Sequence, residues 1–488
     1  MDPVAATTAG RVRGTAEDDT VAFLGIPYAR APFGIRRFGL PVPEPAWNGV
    51  RDAIDHGPTA PQPDRPFTII PEPLVPGDEC LNLNVFTPDL GSVRLPVLVW
   101  IHGGGFTAGG NTSPWYRGHR FARDGVVVVS VNYRLGAEGF LSIPGAPVNR
   151  AVHDWIAALN WVQDNVAAFG GDPGQVTIAG QSAGGVACAT LLTAPEACGL
   201  FHRAICMSGA VPPPLDESSA HALTRAVADQ VGVEPSLEAL AGIDPDRLVA
   251  AQEPAEKALA RATPPEEARF FPSIDDDLVP ADPFDVIARG RAADVPLLLG
   301  FTASEADNLA ATQARAIDDA KVDRRLQRLG LDDARIASWR AANDGAEPWQ
   351  ILGRGLTASM FQARALRLGD AWARARQPTW MYSFAWPAPD YGAVHCLDVP
   401  FAFDVLDAPG VSEIAGAKAP QSLADDVHAA FVRFVGEGDA GWAPYEPEHR
   451  RTMVWDESSA VVEDPVRVMR TIWNPEEASG PHPVPAAH

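Results

Sequence analysis

The 488-residue sequence has few cysteines, no obvious metal motif and an excess of acidic over basic side chains. Its five cysteines are far apart and form no C-x-x-C pair, which argues against a zinc site and against a disulfide framework. We interpret most of them as buried free thiols in a reducing compartment and therefore expect a cytoplasmic protein. The cysteines are Cys80, Cys188, Cys198, Cys206 and Cys396.

Charge and hydropathy exclude two kinds of partner. The 39 basic and 62 acidic side chains give a formal net charge of -23, and the resulting field repels nucleic acid and anionic membrane surfaces. The most apolar runs, "LPVLVWI" and "GVVVVSV", have the length of strands and are too short to span a bilayer. The N-terminal "MDPVAATTAGRVRG" has no charged-then-apolar pattern, so we expect no signal peptide. Neither nucleic acid nor membrane is an expected partner.

Apolar strands alternate with helical patterns through most of the chain. The helical pattern "HDWIAALNWVQDNVAAFGG" has apolar residues at helical spacing and a glycine after its end. Such alternation predicts an α/β fold with a mainly parallel sheet covered on both faces. The predicted strands lie in "CLNLNVFTP", "LPVLVWIHGG", "GVVVVSVNYR", "QVTIAG", "RAICMSG", "VPLLLGFT" and "TWMYSFAW".

Two alanine-rich helical regions interrupt this alternation. They span about 216–268 and about 310–376, and we interpret them as insertions that form the walls of a pocket. We expect one domain over residues 1–478, followed by a disordered tail over 479–488.

A single serine lies at the apex of a tight glycine-rich turn in "VTIAGQSAGGVACATLL". Ser182 is flanked by Gly180 and Gly184 in the only G-x-S-x-G match of the chain. Alone, this pattern fits a capped strand-to-helix turn as well as a nucleophile elbow, in which the turn exposes the serine Oγ. The second interpretation requires a base, a carboxylate and donors for an oxyanion.

The rest of the sequence offers candidates for each of these partners. "WIHGGGF" follows a predicted strand, and its glycines let backbone N–H groups approach an oxygen. His395 lies in the small-residue segment "YGAVHCLDVPFAF", well after the serine. After the strand of "VPLLLGFTASEADNL" come Glu305, which is nearer the strand end, and Asp307 as the fallback.

Several segments together resemble the type-B carboxylesterase family, which includes bacterial p-nitrobenzyl esterases and cholinesterases. They are "FLGIPYARAPFGIRRF", "GDECLNLNVFTP", "LPVLVWIHGGGF", "VNYRLGAEGFL", "WVQDNVAAFGGDPGQVTIAGQSAGG" and "GAVHCLDVPFAF". The resemblance implies an α/β-hydrolase fold and no metal or organic cofactor. It also implies Ser182 as nucleophile, His395 as general base and acid, and Glu305 as the orienting carboxylate. The implied oxyanion hole consists of the N–H groups of Gly104, Gly105 and Ala183.

The resemblance carries two structural expectations and two departures. It implies that Arg37 pairs with Glu79 and that Arg134 pairs with Asp172. Family members often have glutamate where this chain has Gln181, and a neutral amide there weakens the attraction for cationic alcohols. Asp398 stands where glutamate is usual after the histidine.

We therefore predict a serine carboxylesterase that acts on small-molecule esters of uncharged, small to medium alcohols, as a monomer or homodimer. An aryl-carbamate or amide hydrolase with the same residues is the alternative, since "GAVHC" and Gln181 also resemble bacterial carbamate hydrolases of the family. A non-catalytic cholinesterase-like binding protein is the remote one. Aromatic residues near these segments are candidate pocket residues: Phe106, Trp115, Phe270, Phe271, Phe301 and Phe401.

Overall fold

A computed structural model describes residues 2–17, 19–65, 68–209, 213–261, 269–275, 277–307 and 317–474. The predicted tail over 479–488 lies outside the described residues. So do residues 262–268 and 310–316 of the two predicted insertions.

A large twisted sheet forms the centre of the protein. In the described residues it has eleven strands, in the order β14-β13-β12-β11-β10-β9-β7-β8-β6-β4-β3, while β1, β2 and β5 form a small separate sheet. The strands are β1 Val4–Ala6, β2 Arg11–Arg13, β3 Thr15–Glu17, β4 Thr20–Pro27, β5 Val50–Asp52, β6 Asn82–Thr87, β7 Leu95–Ile101, β8 Val127–Val131, β9 Gly171–Gln181, β10 Arg203–Met207, β11 Leu297–Thr302, β12 Thr379–Phe384, β13 Arg451–Trp455 and β14 Ala460–Glu463.

The middle of this sheet is parallel from β8 through β7, β9, β10, β11 and β12 to β13. Antiparallel strands flank it, with β6, β4 and β3 on one side and β14 on the other. Strands β6, β8 and β11 are buried along their whole length, as expected for strands covered on both faces. The predicted α/β class with a mostly parallel sheet is confirmed.

Helices cover both faces and build the region above the sheet. They are α1 His119–Arg123, α2 Gly136–Phe140, α3 Arg150–Asn165, α4 Ala183–Leu191, α5 Glu217–Val231, α6 Leu237–Ala241, α7 Pro245–Leu259, α8 Pro283–Ala288, α9 Asp319–Arg328, α10 Asp333–Ala342, α11 Pro348–Thr357, α12 Ala363–Arg374, α13 Asp398–Ala402, α14 Val411–Ala415, α15 Gln421–Glu437 and α16 Arg467–Trp473. A π-helical turn, Ala358–Gln362, joins α11 to α12.

Helix α3 shows how the sequence pattern positions an element. Trp155, Leu159 and Val162 form its buried face, and a short 3-10 turn continues the helix as far as Phe169. Gly170 then adopts a positive φ of 85° and ends it, which is the usual role of glycine at a helix C-terminus. The chain enters β9 directly afterwards, so this helix sets the start of the strand that leads to Ser182.

Both ion pairs implied by the family resemblance are wrong. Arg37 donates to Glu138, whose carboxylate is 2.6 Å from its Nη2, and Glu79 is exposed. A buried guanidinium requires a buried carboxylate, which Glu138 supplies and Glu79 does not.

Arg134 likewise pairs with Asp154 on α3, at 2.6 Å and 2.8 Å, with both side chains fully buried. Asp172 instead faces the exposed Arg94 at 3.2 Å. The same reason applies as for Arg37, because Asp154 is the carboxylate that is buried beside the guanidinium.

Candidate active site

Ser182 occupies a strained turn between β9 and α4. Its φ and ψ are 57° and -122°, a conformation that non-glycine residues rarely adopt. Backbone contacts hold it there: its N–H donates to the Met207 carbonyl at 2.8 Å, and its own carbonyl accepts from Val186. A Cβ on Gly184 would overlap the Ile101 carbonyl oxygen, so the turn packs on β7 only because this residue is glycine. The strain therefore has a structural cause in the close packing around it.

The glycine turn after β7 lies beside this serine. His102 anchors the turn, since its ring stacks on Tyr133 and its Nδ1 contacts the Gly103 carbonyl at 2.8 Å. Burial lowers the pKa of His102 to about 4, so the ring is neutral and acts as a structural group. Within the described chain, the backbone N–H groups of Gly104, Gly105 and Ala183 donate to no other protein group. Such unengaged N–H groups can hold an oxyanion.

Glu305 and His395 are in direct contact. The Nδ1 of His395 lies 2.5 Å from Oε2 of Glu305, whose side chain is fully buried. The His395 backbone N–H also donates to the Glu305 carbonyl at 3.3 Å, which fixes the two loops against each other. Among the described residues, the side chain of Asp307, the fallback carboxylate, makes no contact with the imidazole. The backbone N–H of Asp307 donates to the Ser304 carbonyl.

Two further groups hold the other oxygen of the carboxylate, and sequence reasoning missed both. Ser208 Oγ donates to Oε1 of Glu305 at 2.7 Å, and the Thr302 N–H donates to the same oxygen at 2.8 Å. Ser208 follows β10, the strand between β9 and β11. Its position as a polar residue at the carboxyl end of a buried parallel strand was the signal that could have identified it.

These side chains lie at the carboxyl ends of four adjacent strands. Ser182 follows β9, Ser208 follows β10, Glu305 follows β11 and His395 follows β12. The crevice outside the carboxyl ends of parallel strands is where open α/β sheets bind their ligands. The topology therefore assembles residues that are far apart in sequence.

The charge state of His395 depends on its neighbours. Burial lowers the pKa of His395, but the hydrogen bond with the Cys396 sulfur and the Glu305 carboxylate raise it, and the net pKa is well above 6.5. Burial raises the pKa of the Cys396 thiol, so that sulfur is neutral at neutral pH. Glu305 is consequently the charged group that favours the imidazolium.

Gln181 is the second polar partner of the imidazole. Its amide Nε2 lies 3.2 Å from His395 Nε2, and its side chain is fully buried at the end of β9. With Nδ1–H pointing at Glu305, Nε2 is the acceptor, so the Gln181 amide donates to it. Within the described residues, Ser182 Oγ makes no hydrogen bond to the imidazole.

Asp398 is a buried acidic side chain three residues after His395. Tyr382 OH donates to its Oδ2 at 2.7 Å, and the carboxyl is fully buried. Burial raises the pKa of Asp398 to about 7, and the charge of Glu305 acts in the same direction. The carboxylate that replaces the usual glutamate therefore supports β12 and does not contact the imidazole.

A cavity of about 550 Å³ opens onto Ser182. Gly105 and Ala183 also line it, together with Ser208 and with Phe361, whose ring packs against the His395 imidazole at 4.9 Å. Most of its apolar surface comes from side chains that the sequence analysis did not single out: Val186, Leu329, Leu356, Met360 and Phe361. They lie on α4, at the end of α9, on α11 and on the π-helical turn.

The six candidate pocket aromatics separate into two groups. Phe271 lines the cavity and contacts Phe106 edge-on at 5.2 Å. The other five are fully buried core residues that do not line it: Phe106, Trp115, Phe270, Phe301 and Phe401. Their assignment to this cavity is corrected: Phe106 packs on Phe140 and Trp155, and Phe401 packs on Phe384 and Trp386.

The described ranges hold neither a cluster of metal ligands nor a helix that could span a membrane. No group of three or more His, Cys, Asp or Glu side chains there could hold a metal ion. Of the helices described above, none combines the length and the apolar character needed to cross a bilayer.

The sheet order and the serine turn between β9 and α4 define an α/β-hydrolase. Comparison with known proteins places it more closely. The chain belongs to the carboxylesterase family, whose model matches residues 1–472, and it is a carboxylic-ester hydrolase.

Relatives cover nearly the whole chain. This chain is 37% identical over 475 residues to phenmedipham hydrolase of Pseudarthrobacter oxydans, and the match covers 93% of this chain and 92% of that protein. It is 33% identical over 483 residues to para-nitrobenzyl esterase of Bacillus subtilis, covering 95% and 96%.

Solved structures of esterases are similar to this chain over nearly its whole length. A PNB esterase superposes with a TM-score of 0.86 at 32% identity, over 97% of this chain and 99% of that one. The Geobacillus stearothermophilus carboxylesterase EST55 has a TM-score of 0.86 at 33% identity, over 96% and 99%.

Proposed function

We propose that Ser182 is the nucleophile, His395 the general base and acid, and Glu305 the carboxylate that orients the base. The observation that carries this assignment is the 2.5 Å contact between His395 Nδ1 and a buried Glu305, beside a cavity lined by Ser182. The contact fixes the tautomer in which Nε2 carries the lone pair that can accept a proton. The backbone N–H groups of Gly104, Gly105 and Ala183 supply the oxyanion hole.

The reaction then proceeds through an acyl-enzyme. Ser182 Oγ attacks the ester carbonyl while Nε2 of His395 takes its proton, and the N–H donors hold the oxyanion. The imidazolium returns this proton to the leaving alcohol. Water, deprotonated by the same nitrogen, hydrolyses the acyl-enzyme. Catalytic hydrogen bonds often form only in the substrate complex, so we expect the Ser182 side chain to turn toward Nε2 when an ester binds.

The leaving alcohol is small to medium in size and uncharged. Gln181 lies beside Nε2 of His395, where the leaving alcohol must receive its proton. Its neutral amide provides no attraction for a cationic alcohol, and burial there disfavours any unpaired charge.

The test is hydrolysis of p-nitrophenyl acetate, butyrate and octanoate by the wild type, Ser182→Ala and the control Ser338→Ala, which changes an exposed serine on α10. We expect the first variant to lose about 10⁴-fold or more in kcat and the control to match the wild type. A fluorophosphonate probe should label the wild type and the control but not Ser182→Ala. Undiminished turnover in Ser182→Ala would refute the assignment.

Hydrolysis of aryl carbamates or amides is the second candidate. It is supported by the relative named phenmedipham hydrolase, which shares 37% identity over 475 residues with this chain. Rates on phenmedipham, and on a phenyl ester and the matching phenyl carbamate, decide between the two. A higher kcat/KM on the carbamate would make carbamate hydrolysis the principal activity.

The proposal includes a reducing, cytoplasmic location and a monomeric or homodimeric state. All five cysteines are unpaired, and four of them are buried, which is the pattern of thiols that need no oxidising compartment. Cell fractionation tests the location, and sedimentation velocity tests the assembly.

A further inference from the structure

The charges around the cavity differ in sign from those of the whole chain. The protein carries 62 acidic and 39 basic side chains, yet the described lining residues include four basic side chains and one carboxylate. The basic ones are Lys257, Arg269, Arg328 and Arg364, and the carboxylate is Glu256. A local excess of positive charge in a protein of net charge -23 favours anions at this one place.

Two of these four cations are the candidates to bind an anion. Lys257 is paired with Glu253 at 2.5 Å and is largely exposed, so it contributes little. Arg328 is exposed at the end of α9, and no ion pair or hydrogen bond of its side chain is recorded among the described residues. Arg269 is half-buried and near Glu256. Burial raises the pKa of Glu256, and a backbone hydrogen bond from Phe270 and the charge of Arg269 lower it only in part. We call Arg269 and Arg328 the cationic rim.

Apolar side chains share the lining of the cavity with this rim and with Ser182. Ser182 and Gly105 lie at one part of the cavity surface, and Phe271, Leu356 and Phe361 provide apolar lining. An occupant that fits such a cavity has an apolar middle and a negatively charged end.

The cavity adjoins Ser182 on the side that carries the oxyanion donors Gly105 and Ala183. His395 must protonate the leaving alcohol, so that alcohol lies next to Nε2, where Gln181 also is. Neither His395 nor Gln181 is among the described lining residues, whereas Ser182, Gly105 and Ala183 are. The carbonyl carbon therefore points its acyl chain into the cavity and its alcohol toward the imidazole.

We propose that the preferred substrates are esters whose acyl part ends in a carboxylate, that is, monoesters of dicarboxylic acids with an uncharged alcohol, and that Arg269 and Arg328 bind that carboxylate. The inference rests on the proposed function, because it uses Ser182 and His395 to define the two sides of the site. It adds the chemical class of the acyl group, which the serine mechanism leaves open.

The experiment compares two substrates that share alcohol and chain length, mono-4-nitrophenyl adipate and 4-nitrophenyl hexanoate. We expect the wild type to favour the adipate monoester about 10-fold in kcat/KM, as charge-assisted hydrogen bonds to a carboxylate would give. Raising NaCl to about 0.5 M should weaken that preference while leaving the hexanoate rate nearly unchanged.

The variants are Arg269→Gln with Arg328→Gln, and the control Arg324→Gln, which removes one exposed charge of α9 that does not line the cavity. The double variant should lose about 10-fold on the adipate monoester and less than about 2-fold on hexanoate. The control should keep the wild-type preference. Thermal unfolding confirms that each variant is folded.

Each outcome separates the inference from the proposed function. If the wild type hydrolyses both esters through Ser182 but favours hexanoate, or if the double variant keeps the adipate preference, the inference is wrong and the mechanism stands. A preference for esters with the carboxylate on the alcohol part would also overturn it. If neither ester is hydrolysed, calorimetric binding of adipate and hexanoate to Ser182→Ala decides, and equal affinities refute the cationic rim.

Discussion

Replacing Gln181 by glutamate places a carboxylate against Nε2 of His395, the nitrogen of the proposed base. The amide nitrogen of Gln181 is 3.2 Å from Nε2, so the isosteric Gln181→Glu exchange adds a negative charge at about the same distance without changing the shape of the site. The charge stabilises the imidazolium, which cannot accept the Ser182 proton. The pKa of His395, already held above 6.5, should rise further.

The size of the shift follows from this separation. Two unit charges at such a distance interact by roughly 5 kcal/mol in an effective dielectric constant of about 20. One pKa unit corresponds to about 1.4 kcal/mol, so the ceiling is about 4 units. Desolvation of the new carboxylate and water in the cavity reduce this, and we expect an upward shift of about 1 to 3 units.

The assay is the pH dependence of kcat/KM on p-nitrophenyl butyrate. Activity requires the neutral imidazole, so it is lost as the pH falls through the pKa of His395, and the wild-type acid limb should lie above pH 6.5. In Gln181→Glu the limb should move up while the alkaline plateau changes little. The neutral control Gln181→Met removes the amide donor without adding charge and should shift the limb by less than about one unit. Coincident acid limbs in the wild type and a folded Gln181→Glu would refute the reasoning.

Three further predictions concern buried carboxyl groups: those of Glu305, Asp154 and Asp398. Glu305→Gln should lower kcat by about 10³ to 10⁴-fold with a smaller effect on KM, and near-normal turnover would transfer the role to Asp307. Asp154→Asn, which leaves the buried Arg134 uncompensated, should cost about 3 to 5 kcal/mol in urea unfolding, whereas Asp172→Asn at the exposed Arg94 should cost about 1 kcal/mol or less. Burial raises the pKa of Asp398 to about 7, so its contribution to stability is present at low pH and is lost as the pH rises toward 7. Asp398→Asn should therefore lose less unfolding free energy than the wild type between about pH 4 and pH 7; parallel curves would contradict this.

The central strands and the serine turn were predictable because their sequence signals are local. The continuous apolar runs that become β7, β8 and β11 predict strands covered on both faces, as in a parallel sheet, and the structure buries most of their residues. The glycine spacing around Ser182 is likewise a local sequence pattern. Its structural cause is the close approach of Gly184 to the Ile101 carbonyl oxygen, which only glycine permits.

Contacts between distant segments were not predictable in the same way. The sequence offers several candidate carboxylates as partners for Arg37 and Arg134, and only burial selects Glu138 and Asp154. Burial likewise separates Phe271, at the cavity, from its neighbour Phe270 in the core. Neither burial nor the direction of a side chain can be read from a motif.

The spacing of the reacting groups along the chain has a consequence for synthesis and degradation. The serine, the carboxylate and the imidazole lie at positions 182, 305 and 395, at the ends of β9, β11 and β12. A ribosome-bound chain that has emerged only as far as α9 holds Ser182 and Glu305 without His395, the proposed base, and so does a fragment cleaved between α9 and β12. Hydrolysis therefore begins only after most of the polypeptide has emerged and its central strands have paired, which makes turnover itself a sensitive report that the molecule is intact.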